Sequence, residues 1–382
     1  MGLAGAMMIR AATVHPNIVV RAAADPLPGP RAAFERQVGG TPYADFRDLC
    51  TDDEVEAIYI ATPHHFHPQQ VIEAVGCGKH VLVEKPLALT LEDCDAVIKA
   101  TDASNVQVVV GHTHAFDPNI RAMSSLVQSG EIGRLGMILG LNYTDFLYKP
   151  RRPDELDTRK GGGIVFNQVS HQIEIARLIG GGLVKRVRAN TGILDPQRPT
   201  EGCCSALLGF DNGASASLVY SGYDYFDSDE LHHWVAEGGT RKVADHGSRR
   251  RMLAAGTVDE AELHRDMAYG GRNLPTDQPF LPHFGLWIVT GSDGELRLSP
   301  KGLIKYDIDG AHEVDVARGI GRPGHGDALD ALWRAVRQGE RSIHDCRWGK
   351  ATLEVALAIL QSAKDRREIE LSHQVVSYPP RT

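Results

Sequence analysis

Cysteine is scarce in this chain of 382 residues: six thiols, at positions 50, 77, 94, 203, 204 and 346, with no C-x-x-C pair among them. That number and spacing exclude a disulfide framework and leave reduced thiols, several of them in the core. Long hydrophobic runs are also missing. None reaches the roughly 20 residues that a membrane crossing needs, and the first residues lack a signal-peptide pattern. Positive charge is not in excess either, since the formal net charge is -8. No overall basic field exists for nucleic acid or anionic lipid, so any anion site must be local. A cytoplasmic protein without nucleic-acid or membrane partners is expected. No internal repeat is found.

What is present is enough apolar material to fold, 42% hydrophobic against 24% charged residues, over a length that suits two domains. In the first third, apolar runs at 18–24, 55–60, 80–83 and 106–110 read as buried parallel strands. The amphipathic stretches between them, 30–38, 67–77 and 91–103, are long enough for crossover helices. Residues 1–117 are therefore expected to form a doubly wound α/β domain of Rossmann type with a parallel sheet. After residue 118 the pattern changes. One helix at 119–129 leads into strand candidates at 135–146, 184–191, 205–210, 214–220, 232–236, 284–289, 295–298 and 303–306. Asp211-Asn212-Gly213 and Ser292-Asp293-Gly294 supply turns between them. Residues 118–382 are thus expected to form an α+β domain with a large open, mostly antiparallel sheet. Two terminal helices, 328–338 and 348–363, would pack back over the cores. The Gly-, Arg- and Pro-containing segment 238–282 reads as an irregular excursion.

Gly2-Leu3-Ala4-Gly5 before an apolar helix looks like the back half of G-x-G-x-x-G. In that motif, glycines let a pyrophosphate approach a helix N-terminus whose free N–H groups attract it. The alternative is an ordinary small-residue helix start. Asp25, at the end of the run 18–24 and about 20 residues beyond the glycines, stands where a ribose-binding acid belongs; it would repel a 2′-phosphate and favour NAD over NADP. Its alternative is a turn acid ahead of Pro26. The strand that should precede the glycine turn is absent. As this strand is central in a 3-2-1-4-5-6 sheet, its loss exposes two edges, and the expectation is a chain that begins late.

Ala61-Thr62-Pro63, His67, His80-Val81-Leu82-Val83 followed by Glu84-Lys85-Pro86, Gly161-Gly162-Gly163 and His171 resemble the Gfo/Idh/MocA oxidoreductase family in order and spacing, over essentially the whole chain. The resemblance implies a Rossmann domain followed by an open sheet through which a homodimer or homotetramer would assemble. It also places Ala61, Thr62, Pro63, His64, His67, Glu84, Pro86 and His112 near the cofactor. Within the family, residues 142–153 and Ser221-Gly222-Tyr223 are similar to the dihydrodiol dehydrogenases of phthalate breakdown. That similarity implies a cis-dihydrodiol of an aromatic dicarboxylate as substrate. A sugar or inositol dehydrogenase and a non-catalytic NAD-binding regulator stay open as alternatives.

Lys85 follows a strand and so sits at its carboxyl end, where open α/β sheets bind ligands; its ammonium can stabilise a developing alkoxide. Asn167 and His171, four apart on an expected helix, would share a face. Family members commonly carry Asp at the position of Asn167. An amide can orient a hydroxyl but not take its proton, so His171 becomes the expected general base. The ammonium of Lys85 and the imidazole of His171 would have to meet at the nicotinamide. His64, His65, His67, His112 and His114 form a cluster that by itself suggests a metal; the resemblance requires none, and no metal is expected. Ala115 stands where many relatives have arginine. Lys149, Arg151, Arg152 and Arg159 form a local basic run suited to a dicarboxylate, or simply to a solvated face.

Overall fold

The computed structural model describes residues 1–111, 113–256, 259–271 and 278–377. The chain divides into two units: Met1–His112 with Ala261–Leu274 and Gly319–Lys350, and Thr113–Glu260 with Pro275–Arg318 and Ala351–Thr382. The change of unit falls at 112/113 rather than 117/118, because the turn His114–Phe116 packs on the helices that follow it.

In the first unit, α1 (Leu3–Thr13), β1 (Ala22–Ala24), α2 (Pro28–Val38), β2 (Thr41–Tyr43), α3 (Phe46–Thr51), β3 (Ala57–Ile60), α4 (His67–Gly76), β4 (His80–Val83), α5 (Leu91–Asp102) and β5 (Val108–Val110) alternate. Every pairing among these strands is parallel. Strands β1 and β2 form one sheet, and β3-β4-β5 another. Among the described residues no pairing joins β1 to β3, the two strands that flank the central position of a doubly wound sheet. The strand ends are set by sequence: Val81, Leu82 and Val83, then Val108, Val109 and Val110, are all buried, as strands covered on both faces must be.

Helix boundaries have local causes. Thr90 caps α5 by accepting the Asp93 N–H, with Glu92 and Asp93 in the first turn and Lys99 in the last. Pro28 opens α2, and Gly39, at φ 78°, closes it in the left-handed conformation. The buried face of α2, Ala33 and Phe34, packs with Ala6, Ala23 and Tyr269. Removing the Phe34 side chain from water contributes about 2–3 kcal/mol.

The second unit opens with the turn His114–Phe116 and α6 (Pro118–Gln128) and holds α7 (Ser170–Gly180) and α8 (Ser248–Ala254), whereas α9 (Glu260–Met267), past its first residue, belongs to the first unit. Its strands are β6 (Leu135–Tyr143), β7 (Val184–Gly192), β8 (Cys203–Phe210), β9 (Ser215–Ser221), β10 (Leu286–Gly291), β11 (Glu295–Leu298), β12 (Gly302–Asp307), β13 (Gly310–Asp315) and β14 (Ile369–Glu370). They form one sheet in the order β13-β12-β11-β10-β6-β9-β8-β7-β14. Its pairings are antiparallel except that of β6 with β9. One face is packed: Ile138, Asn142, Ala216, Leu218, Tyr220, Ala206 and Leu208 are buried. Gly140 sits opposite Trp287, and a Cβ there would lie 2.6 Å from the indole ring. The other face shows Met137 and Leu207, each 49% exposed.

The strand expected at 232–236 does not form. Residues Ser228–His232 make a single 3-10 turn, His233 and Trp234 follow at φ 58°, and Val235 keeps only an isolated bridge to Arg241. Side-chain alternation there serves a buried turn instead of a pleat. The segment 238–282 is not wholly irregular, since it contains α8 and α9. Two further helices complete the fold: α10 (His325–Arg337), in the first unit, and α11 (Cys346–Asp365). No helix among the described residues is long and apolar enough to cross a membrane.

Candidate active site

The strand ends of the first unit carry the expected cofactor residues. Gly2 caps α1 with no side chain, and a Cβ at Gly2 would meet nothing within 4 Å, so the helix N-terminus is open. Gly5 lies buried one turn further on. Asp25, at the end of β1, is 5% exposed. It accepts the Leu27 N–H at 2.8 Å through one carboxylate oxygen, while the other meets the amino group of Met1. Burial lowers that amino group to about 6.

After β3, Ala61-Thr62-Pro63 leads into the turn His64–Phe66 and α4; the Thr62 hydroxyl donates to Gln70 at 2.6 Å. After β4 come Glu84, Lys85 and Pro86, with a cis peptide between Lys85 and Pro86. Glu84 accepts the Tyr59 hydroxyl at 2.5 Å. Lys85 is partly exposed at the carboxyl end of its strand. His67 is fully buried, with its ring nitrogens 2.8 Å from the carbonyls of Thr62 and of Pro86. It ties the two strand-end loops together rather than presenting an edge to a ligand, which revises the cofactor contact expected of it. A neutral ring can donate to only one of these carbonyls at a time; burial pushes its proton affinity down while both carbonyls pull it up. His112 lies outside the described residues. The helix terminus, the acid at the end of β1 and the Glu-Lys-Pro loop together suit a dinucleotide.

In the second unit, the glycine run is fixed by what lies beneath it. Gly161 and Gly163 have φ of 81° and 77°, and a Cβ on Gly163 would strike the carboxylate of Glu201 and the hydroxyl of Thr200. Glu201, 4% exposed, accepts from the Thr158 hydroxyl and, at 3.3 Å, from the Val165 N–H; burial raises its carboxyl. This buried acid was not anticipated, although Thr200-Glu201 after a proline gave a faint signal. Asn167 donates to the carbonyls of Gly161 at 3.1 Å and Gly163 at 2.8 Å. It lies in a π-helical turn, Val165–Val169, that precedes α7.

His171, 7% exposed, sits in the first turn of α7. Its ring centroid lies 4.9 Å from that of Phe284 and 5.0 Å from that of His114. Phe284 in turn stacks on Tyr220 at 6.2 Å, and the Tyr220 hydroxyl bonds Thr144 at 2.7 Å and Gln168 at 3.1 Å. Beyond Tyr220 the basic run separates into two groups. Lys149 pairs with Asp145 at 3.2 Å, which raises its proton affinity. The Arg151 guanidinium lies 3.8 Å over the Phe146 ring, donates to the Phe146 carbonyl at 3.0 Å and approaches Glu155 at 3.7 Å. Burial lowers Arg151. Arg152, 51% exposed, pairs with Glu155, and Arg159, 89% exposed, pairs with Asp157. These two belong to a solvated face. Among the described residues no three His, Cys, Asp or Glu side chains group as a metal site.

A cavity of about 580 Å³, lined among others by Tyr143, Ser221, Tyr223, Tyr225, Phe226 and Arg250, contains none of the expected site residues. Tyr143 and Ser221 alternate with Asn142 and Tyr220 along their strands, so the cavity opens on the sheet face opposite His171.

Residues 1–112 match the model of an oxidoreductase family with an NAD-binding Rossmann fold, and residues 120–240 match the GFO/IDH/MocA C-terminal domain. The chain is 36% identical, over 84% of its own length and 82% of the relative's, to a 1-carboxy-3-chloro-3,4-dihydroxycyclohexa-1,5-diene dehydrogenase of Comamonas testosteroni. It is 32% identical, over 40% of its length and 44% of the relative's, to a myo-inositol 2-dehydrogenase of Thermotoga maritima. Its fold matches the crystal structure of a putative dehydrogenase from Bordetella bronchiseptica RB50 with a TM-score of 0.94 and 43% identity, covering 97% of this chain and 98% of that one.

Proposed function

The chain belongs to the Gfo/Idh/MocA oxidoreductase family, and on that premise we propose that it oxidises a cis-dihydrodiol of an aromatic carboxylic acid, with NAD preferred over NADP. The substrate would be of the kind used by 4,5-dihydroxyphthalate dehydrogenase. The observation that carries this reading is the run of side chains from His171 through Phe284 and Tyr220 to Lys149 and Arg151. An imidazole, an aromatic wall and two cations suit, in turn, a carbinol, an unsaturated ring and a carboxylate.

A bound nicotinamide dinucleotide would supply the hydride acceptor. Lys85 would hold the carbinol oxygen and stabilise its negative charge as the C–H bond breaks. His171 would take the hydroxyl proton. Asn167 would keep the glycine loop in place, where the expectation had it touching substrate. Asp25 supports NAD, since a carboxylate repels a 2′-phosphate. The product enone then enolises, a proton passing from the ring carbon to the carbonyl oxygen, and the ring becomes aromatic, which makes the oxidation downhill. A homo-oligomer assembled through the partly apolar open face of the sheet, in the cytoplasm, completes the proposal.

A diol panel read at the NADH absorbance tests it. A carboxylated cyclohexadiene diol should give turnover with NAD, and Lys85→Met should lower the rate by about 10²-fold or more. Turnover of myo-inositol or glucose alone would favour the inositol-dehydrogenase reading, which the Thermotoga maritima relative supports. Cofactor binding without turnover on any diol would favour a regulator.

A further inference from the structure

We propose that Asp117 and His114 form a carboxylate–imidazole pair that positions the proton chemistry of His171, supplying from a strand-end turn the charge that residue 167 lacks as an amide. The inference rests on His171 being the base of the proposed oxidation. Asp117 is fully buried, and its Oδ2 lies 2.6 Å from Nδ1 of His114. A carboxylate in that setting is stabilised by a cationic partner, so the pair favours the imidazolium form of His114. The His114 ring then meets the His171 ring edge to face, at 5.0 Å and 71°. Phe284 lies against both rings, at 4.7 Å and 4.9 Å, and keeps water from that side.

The pair is built by local sequence. The Thr113 hydroxyl accepts the Ala115 N–H and opens the turn, Pro118 starts α6, and the Asn119 amide anchors that start to the Pro282 carbonyl at 2.9 Å. Alanine at 115 leaves no second cation in the turn itself. Other charged and titratable groups on the elements packed here are already committed. Glu174, one turn along α7, accepts from Thr352 at 2.6 Å, and Arg177 donates to the same hydroxyl at 2.7 Å. Tyr220 on β9 is bound to Thr144 and Gln168, with Lys149, Arg151 and Glu237 beyond it. Arg121 on α6 is exposed.

A positive charge about 5 Å from an imidazole disfavours its protonation by about one to two pH units at an effective dielectric of roughly 20–40. His171 is thereby kept neutral, and able to accept a proton, at a pH where a lone histidine would be part-charged. Asp117→Asn removes the charge that holds His114 as a cation. His114 then titrates lower, and His171 titrates higher.

The test is an NMR titration of full-length protein labelled with 13Cε1-histidine, with His171 assigned from His171→Asn. In both Asp117→Asn and His114→Gln the His171 midpoint should rise by about one unit or more. The low-pH limb of kcat/KM should move the same way. A merely structural pair would lower the rate at all pH values and leave the limb in place. If His171 titrates within about 0.3 unit of wild type in whichever of the two variants melts as a folded protein, the proposal is overturned. If the midpoint moves but no diol is oxidised at any pH, the pair stands and the dehydrogenase reading falls.

Discussion

His232 offers a stability prediction whose size follows from the structure. Its ring is 2% exposed, stacks on His283 at 4.1 Å, and has Nε2 2.8 Å from the Gly285 carbonyl. Burial first, and the neighbouring His283 second, push its proton affinity down to about 2. A histidine lowered on folding binds protons more readily in the unfolded chain. It therefore contributes stability that is present above the unfolded value of about 6.5 and is lost as the pH falls below it. Between pH 7.5 and pH 5 the loss from this one group is about 2 kcal/mol, and it depends little on the folded value as long as that lies well under 5. The perturbation is His232→Asn, which keeps a polar side chain but cannot be protonated. Urea unfolding at the two pH values measures the gap between wild type and variant. At pH 7.5 the variant should be the less stable, having lost the bond to Gly285; at pH 5 the gap should shrink by about 2 kcal/mol. A gap unchanged between the two pH values would refute the assignment of His232 as a buried neutral imidazole.

Three further outcomes are expected. Arg151→Met should raise KM about tenfold for a carboxylated diol while leaving that for an uncharged diol nearly unchanged; equal effects on both would remove Arg151 from carboxylate binding. Gly140→Ala should lower the stability measured by urea unfolding by about 1–3 kcal/mol, because the new methyl would press into the fully buried Trp287. In Ellman titration of the native protein one thiol, the exposed Cys77, should react at once. Cys50, Cys94, Cys204 and Cys346, pushed up by burial to about 12, should react only on unfolding.

Elements that bury one regular face were legible from sequence. The valine-rich strands β4 and β5 and the helix α5 between them fell close to their expected ends, and so did β8 and β9 around Asp211-Asn212-Gly213. Elements lacking such a face were not. Strand β13 buries none of its six residues, β14 has only two, and at 232–236 alternation arose from a turn. The site divided in the same way. Lys85 and His171 stood out because their neighbours fix them locally. The neutralisation of Arg152 by Glu155 and of Arg159 by Asp157 could have been suspected from spacing, but the stacking of Arg151 on Phe146 could not. Of the pair, His114 was visible only as one member of a histidine-rich stretch, and Asp117 carried no signal of its own. The π-turn before α7 leaves no residue pattern at all, because one extra residue per turn is a backbone event that side-chain periodicity does not record.

The place of β6 in its sheet bears on how the chain is made. It is the middle strand of nine, yet it leaves the ribosome before both of its neighbours: β9 ends at Ser221 and β10 at Gly291. Some 80 further residues must be synthesised before β9 can pair with it and some 150 before β10 can, at about 5–20 residues per second, so for that whole interval Met137, Leu139 and Leu141 lack a permanent partner on at least one side. This interval of many seconds is when nascent chains can pair with one another. Slowing elongation between β9 and β10 should therefore lower the yield of folded protein more than an equal delay placed after β12.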